Sequence, residues 1–129
     1  MPNTRDPDYQ ILQGVWEQIA LEDNGVANPM DDAHSAPGAL TTLSGDQFEV
    51  RTVKGEVLLA GRFSLDSSTV PKTITWIDSI GEDAGKHLPA SYRLDRDEFV
   101  FIAADEGMPR PTTFSTGPGQ TMRTFVRRT

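Results

Sequence analysis

The sequence Leu12-Gln13-Gly14-Val15-Trp16 marks the start of a β-strand that we expect over residues 14–21. In this segment the apolar side chains of Trp16, Ile19 and Leu21 stand among polar neighbours, as in a strand with one buried face. The following Asp23-Asn24-Gly25 is a turn signal, because aspartate, asparagine and glycine favour tight turns. These residues therefore predict the first strand and the turn that follows it.

The residues before this strand do not follow the alternating pattern of a strand. Residues 1–8 are polar and include two prolines, which predicts a flexible N-terminal arm followed by a single domain over residues 9–129. Asp6-Pro7-Asp8 can cap a short helical turn that carries Tyr9, Ile11 and Leu12, since aspartate caps free amides and proline suits the first helical position. We expect one helical turn before the first strand.

Downstream, short strands alternate with turn residues to the end of the chain. We expect them at residues 39–43, 47–52, 56–65, 73–78, 91–94, 98–103 and 121–127. The clearest alternation is in 56–65, where Val57, Leu59, Gly61, Phe63 and Leu65 share one face. About eight short strands at regular spacing predict an all-β protein, a single antiparallel up-and-down β-barrel that hides its own edges.

Composition narrows the class of protein. The 129 residues suit one domain, and the 36% of hydrophobic residues include no run long enough for a membrane-spanning helix. A net charge of -7 argues against a nucleic-acid or membrane partner, because both carry negative surfaces. Without cysteine there is neither a disulfide nor a thiolate. The start of the chain lacks the apolar segment of a signal peptide, so we expect a cytoplasmic protein, although a mature secreted form fits equally.

Several pieces of the chain, taken together, resemble a small lipocalin-like β-barrel family of unknown function that is abundant in planctomycetes and some other bacteria. The matching pieces are Leu12-Gln13-Gly14-Val15-Trp16, Gly45-Asp46-Gln47-Phe48-Glu49-Val50, Gly61-Arg62-Phe63-Ser64-Leu65-Asp66, Pro71-Lys72-Thr73-Ile74, Tyr92-Arg93-Leu94-Asp95-Arg96-Asp97-Glu98-Phe99, Arg110-Pro111-Thr112-Thr113-Phe114-Ser115 and Phe125-Val126-Arg127-Arg128. In order and spacing they cover nearly the whole chain from Leu12 onward. The resemblance implies a fold and no particular reaction.

The resemblance also implies a structural role for the ends of the barrel. In lipocalin-like barrels a Gly-x-Trp on the first strand packs under an arginine near the end of the last strand. Here Gly14 and Trp16 fit the first part, and Arg127 or Arg128 fits the second. A guanidinium on the indole face gains a cation–π contact and would close that end of the barrel.

The interior of such a barrel decides the function, because eight strands enclose space for side chains or for one small ligand. Inward candidates are Phe48, Leu59, Phe63, Trp76, Tyr92 and Phe101. We expect Trp76, Tyr92, Phe63 and Phe101 to contact a small apolar or amphipathic ligand. Trp76 and Tyr92 are favoured because each has a polar tip on an apolar body.

The alternative is a protein-interaction or scaffold barrel with a filled core and no ligand. The long polar loops 28–38 and 107–119 suit such a role, as do Leu58 and Ala60, which face outward by strict alternation. The protein partner of such a module is left open by the sequence.

Catalytic and metal signatures are weak. Asp31-Asp32-Ala33-His34 has metal-ligand chemistry, but no further ligand at a supporting spacing, so we predict neither a metal nor another cofactor. Neither His34 nor His87 has an evident partner, and Ser115 is not in a nucleophile elbow. We therefore predict no catalytic residues and a non-enzymatic function.

Overall fold

The computed structural model describes residues 7–23, 25–27, 39–52, 54–80 and 84–128. Within these ranges the chain forms one helix and nine strands. These are α1 (Pro7–Leu12), β1 (Gly14–Asp23), β2 (Val26–Ala27), β3 (Leu40–Ser44), β4 (Gln47–Arg51), β5 (Val57–Asp66), β6 (Lys72–Asp78), β7 (His87–Leu94), β8 (Glu98–Ala104) and β9 (Gln120–Arg128). The described part of the chain includes no helix long and apolar enough to cross a membrane.

Eight of the strands form a closed antiparallel barrel. Their order is β1-β3-β4-β5-β6-β7-β8-β9, and β9 pairs again with β1 from Val15↔Arg128 to Asp23↔Thr121. The two-residue β2 adds to the end of β1 beside the barrel wall. Closure satisfies the backbone groups that an open sheet would leave at its edges. The predicted fold class, an all-β up-and-down barrel with a short N-terminal helix, is confirmed.

The helix α1 covers one end of the barrel, which we call the closed end. Its Asp8 is buried, and its Oδ2 accepts hydrogen bonds from the Tyr92 hydroxyl at 2.6 Å and from Lys72 Nζ at 3.1 Å. A buried carboxylate is stabilised only when it is paired in this way. Pro7 and Asp8, which the sequence assigns to the arm, thus form the first turn of α1; residues 1–6 lie outside the described residues.

Trp16 and Arg127 fill the closed end beneath this helix. Trp16 is fully buried, and its Nε1 donates to the Leu12 carbonyl at 2.8 Å. The guanidinium of Arg127 lies over the indole, 4.3 Å from the ring centroid. The same guanidinium donates to the Arg96 carbonyl at 2.9 Å, to the Gln13 carbonyl at 3.1 Å and to the carbonyl of Ile11. One side chain therefore joins α1, β1, β9 and the turn between β7 and β8.

Gly14 makes this close approach feasible. Its φ is +123°, a region that residues with a Cβ rarely adopt. A Cβ at this position would also lie 3.4 Å from Arg127 Nη1. The neighbouring Arg128 points elsewhere, and its Nη1 lies 3.3 Å from Glu17 Oε1 on the barrel surface. Of the two arginines considered from the sequence, Arg127 is the one that stacks on Trp16.

Two bulges change which side chains face inward at the opposite end, the open end. In β1 the register shifts between Gln18 and Ala20, so that Gln18 is buried and the intervening Ile19 is 53% exposed. In β5 the pairing passes from Val50↔Leu59 to Arg51↔Val57, which skips Leu58. An extra residue in one strand reverses the alternation beyond it. Both strands therefore depart from simple alternation near the open end.

The long connection between β8 and β9 is held against the outside of the barrel. Arg110 Nη1 donates to the carbonyls of Ile74 and Ala90, at 2.9 and 2.6 Å, and its Nη2 donates to Thr75 Oγ1 at 3.0 Å. Burial lowers the pKa of Arg110. Farther along the loop, the Phe114 ring lies 4.0 Å from the Arg93 guanidinium. The part of the predicted loop 107–119 that carries the Arg110-Pro111-Thr112-Thr113-Phe114-Ser115 piece is thus anchored to β6 and β7.

We expect Arg127→Met to lower the free energy of unfolding by about 2–4 kcal/mol, because it removes a cation–π contact and charged hydrogen bonds to three carbonyls. The matched control is Arg128→Met, which removes one exposed ion pair and should cost less than about 1 kcal/mol. Urea unfolding of both variants measures the difference. Equal losses would contradict the role assigned to Arg127.

Candidate ligand-binding cavity

The closed half of the barrel is filled by aromatic side chains. Phe99 is the centre of this packing, with ring centroids 5.7 Å from Phe125, 5.9 Å from Trp16 and 6.1 Å from Tyr92. Tyr9 of α1 stacks on Phe63 at 5.5 Å. Such pairs add about 0.5–1.5 kcal/mol each beyond the area they bury. This half of the interior is therefore packed with side chains, and its apolar contacts stabilise the fold.

The open half contains a cavity of about 410 Å³. This volume lies within the range of about 300–1,000 Å³ that small-molecule sites occupy in proteins. Its apolar lining comes from five different strands and includes Phe48, Val50, Leu59, Trp76, Leu88 and Phe101. Leu58, at the β5 bulge, also lines the cavity rather than facing outward. An apolar surface of this kind favours an apolar part of a ligand.

Polar side chains line the rest of the cavity. The group consists of Gln18, Asp23, Thr41, Asp78, Asp105, Thr121 and Arg123. Arg123 Nη1 donates to Gln18 Oε1 at 2.9 Å, and Thr121 Oγ1 donates to Asp23 Oδ1 at 3.0 Å. Asp78, which ends β6, is 6% exposed. The cavity is thus amphipathic, with a polar surface facing an aromatic and aliphatic one.

Trp76 lies where the filled half meets the cavity. Its ring centroid is 4.9 Å from Phe101, 5.1 Å from Phe48 and 5.6 Å from Phe63. The side chain is 6% exposed, and Nε1 has no hydrogen-bond partner among the described residues. A buried donor without a partner costs about 1–3 kcal/mol, and such donors are rare in folded proteins. The contrast is Trp16, whose Nε1 is bonded to the Leu12 carbonyl.

Gly61 sets the position of the cavity wall around Phe48. It pairs with Phe48 on β4 and with Asp78 on β6. A Cβ on Gly61 would lie 2.1 Å from the Ile77 carbonyl oxygen and 2.9 Å from Phe48 Cε1. Both distances are shorter than van der Waals contact, so no other residue fits without moving the strand or the Phe48 ring.

Of the four residues predicted to contact a ligand, two line the cavity and two do not. Trp76 and Phe101 line the cavity, whereas Phe63 and Tyr92 belong to the packed half. The Tyr92 hydroxyl, the polar group that made this residue a candidate, donates a hydrogen bond to Asp8 of the helix. Phe63 instead packs between Tyr9 and Trp76. The ligand contacts of Trp76 and Phe101 remain predictions that this geometry permits.

Sequence reasoning missed the polar members of the lining. Gln18 and Asp23 belong to β1 on either side of the bulge at Ile19, and Arg123 lies opposite Leu21 on β9. A bulge leaves no periodic signal in a single sequence, because it interrupts the alternation from which facing is read. The one usable signal is Asp78 itself, a carboxylate that ends a strand of alternating apolar residues.

No cluster of three histidine, cysteine, aspartate or glutamate side chains suited to a metal ion occurs within the described ranges. The Asp31-Asp32-Ala33-His34 segment considered from the sequence lies outside them. Comparison of the chain with protein-family models and with curated protein sequences finds no match.

We expect Gly61→Ala to destabilise the protein by about 1–3 kcal/mol, the usual cost of overpacking a filled site. The cause is the contact of the new methyl group with the Ile77 carbonyl and Phe48. The matched control is Gly117→Ala, because a Cβ there meets nothing closer than Gln120 at 3.8 Å. Thermal and urea unfolding compare the two. A Gly61→Ala protein as stable as Gly117→Ala would refute the steric assignment.

Proposed function

We propose that the protein binds a small amphipathic ligand in the open half of its barrel, without catalysing a reaction. The observation that carries this proposal is a cavity of about 410 Å³ in which polar side chains face the aromatic rings of Trp76, Phe48 and Phe101. The apolar part of a ligand would cover these rings, and its polar part would meet the polar side chains.

We further propose that the chain is a member of the lipocalin-like family that its sequence resembles. Support comes from Gly14, Trp16 and Arg127, which lie together at the closed end in the arrangement that the resemblance implies. The same arrangement confines free volume to the other end, where lipocalin-like barrels have their opening.

The volume of the cavity favours this function over that of a scaffold barrel with a filled core. A core filled by side chains has few voids larger than a water molecule, whose share of liquid volume is about 30 Å³. The cavity here exceeds that size more than tenfold. It also has both apolar walls and polar groups, as ligand pockets have.

Octanoyl ethanolamide, which has an acyl tail, an amide carbonyl and no charge, is a suitable probe. In a ¹H–¹⁵N spectrum the two tryptophans contribute two indole resonances. We expect the probe to move the Trp76 resonance, because that ring lines the cavity, and to leave that of Trp16 in place, because Trp16 is bonded to Leu12 at the closed end. A saturating titration that moves neither resonance would refute the proposed site.

Two matched substitutions separate binding from stability. Trp76→Phe shortens one aromatic wall of the cavity, and we expect roughly tenfold weaker binding of octanoyl ethanolamide, about 1.4 kcal/mol of lost apolar contact. Trp16→Phe removes a bonded donor and should lower the free energy of unfolding by about 1–3 kcal/mol while affinity stays unchanged. Isothermal titration and urea unfolding of both variants test this. Equal affinity of Trp76→Phe and the unsubstituted protein would contradict the role of the Trp76 ring in the lining.

A further inference from the structure

We infer that the ligand is polar at both of its ends, with an apolar stretch between them. This inference rests on the proposed function and specifies the class of molecule that the cavity takes. The chemistry that fits is a medium-length acyl chain with a neutral amide head and a hydroxyl group at the far end of the chain. A molecule with one polar head and a wholly apolar tail fits the lining less well.

The polar and apolar parts of the cavity lining come from different sides of the barrel. Strands β9, β1 and β3 are consecutive in the barrel wall. Their residues in the lining are all polar, namely Gln18, Asp23, Thr41, Thr121 and Arg123. The lining residues of strands β4 to β8 are apolar apart from Asp78, which ends β6. The cavity therefore has a polar wall, formed by β9, β1 and β3, and an apolar wall opposite it.

The polar wall extends from the mouth of the cavity to its inner end. At the mouth, Asp23 ends β1 and pairs with Thr121 near the start of β9. At the inner end, Gln18 pairs with Phe125, which belongs to the packed half. Thr121 and Phe125 are separated along β9 by about 13 Å at the usual rise of a strand. The lining is thus polar beside the packed rings as well as beside the solvent.

The inner end of the polar wall is also buried. Thr41 pairs with Trp16, another residue of the packed half, and both Thr41 and Gln18 are buried. Gln18 also accepts a hydrogen bond from Arg123. These side chains stay polar whether or not they bond to one another. An apolar chain laid against them would displace water without replacing its hydrogen bonds, and a ligand with a polar inner end avoids that cost.

Three neutral probes that differ in one hydroxyl group test the inference by isothermal titration. Octanoyl ethanolamide has an apolar tail, ω-hydroxyoctanoyl ethanolamide has a hydroxyl at the end of that tail, and α-hydroxyoctanoyl ethanolamide is its isomer with the hydroxyl beside the carbonyl. We expect the ω-hydroxy probe to bind roughly tenfold more tightly than its isomer, because only its hydroxyl reaches the inner end of the polar wall. We also expect it to bind at least as tightly as octanoyl ethanolamide, whereas a wholly apolar inner end would penalise the added hydroxyl.

Two neighbouring threonines of β3 locate the effect. Thr41→Val keeps the shape of the side chain and removes a hydroxyl from the inner end of the polar wall, so we expect it to lower the affinity for the ω-hydroxy probe several-fold. Its affinity for octanoyl ethanolamide should not fall, which shows that the variant has retained the cavity. The control is Thr42→Val, which makes the same change on the exposed outer side of the strand and should leave both affinities unchanged. If Thr41→Val does not fold, the comparison of the three probes on the unsubstituted protein decides.

Different outcomes overturn this inference and the function beneath it. Weaker binding of the ω-hydroxy probe than of octanoyl ethanolamide, or equal binding of the two hydroxylated isomers, overturns the inference and leaves the binding function in place. An equal effect of Thr42→Val overturns the assignment of the preference to the polar wall. If none of the three probes binds or moves the Trp76 resonance, the proposed function fails and the inference fails with it.

Discussion

The stack of Arg127 on Trp16 is the contact on which the rest of the barrel depends. It brings the last strand over the first and holds the carbonyls of Ile11, Gln13 and Arg96 in one place. Because those carbonyls belong to the helix and to two different connections, a single planar cation fixes the whole closed end. The aromatic rings pack against this closed end, and the cavity lined by Trp76 and Phe101 lies at the opposite end of the barrel.

The two halves of the interior therefore differ in what their side chains contribute. The closed half consists of rings that gain stability from burial, and its one buried carboxylate, Asp8, is paired with Tyr92 and Lys72. The open half has a guanidinium and several carboxylates in the lining of its cavity. A lining that mixes apolar walls with a few polar groups is typical of ligand pockets.

Much of the architecture follows from local sequence patterns. Strand β5 was predicted by the alternation that includes Gly61, Phe63 and Leu65, and these are its buried residues. Strand β7 begins at His87, whereas the sequence predicted its start at residue 91. The prediction was late because Pro89 weakens the strand pattern, although in the structure it occupies a regular position opposite Thr75.

The open end was less accessible to sequence reasoning, for two physical reasons. The side of the barrel that a residue faces depends on bulges, and a bulge interrupts the only periodic signal that a strand offers. The role of a polar tip depends on partners distant in the chain. From the sequence alone Tyr92 is a candidate ligand contact. In the fold its hydroxyl is bonded instead to Asp8 of the helix, 84 positions away.

The two bulges have a consequence for how such a barrel can diversify. Each lies near the open end, so a shift of register there exchanges polar for apolar lining without disturbing the strand residues nearer Trp16. Inserting or deleting one residue at a bulge thus alters the chemistry of the mouth in a single mutational step. Descendants of this sequence can change the lining of the mouth while inheriting the unaltered packing of Trp16 and Arg127 at the other end.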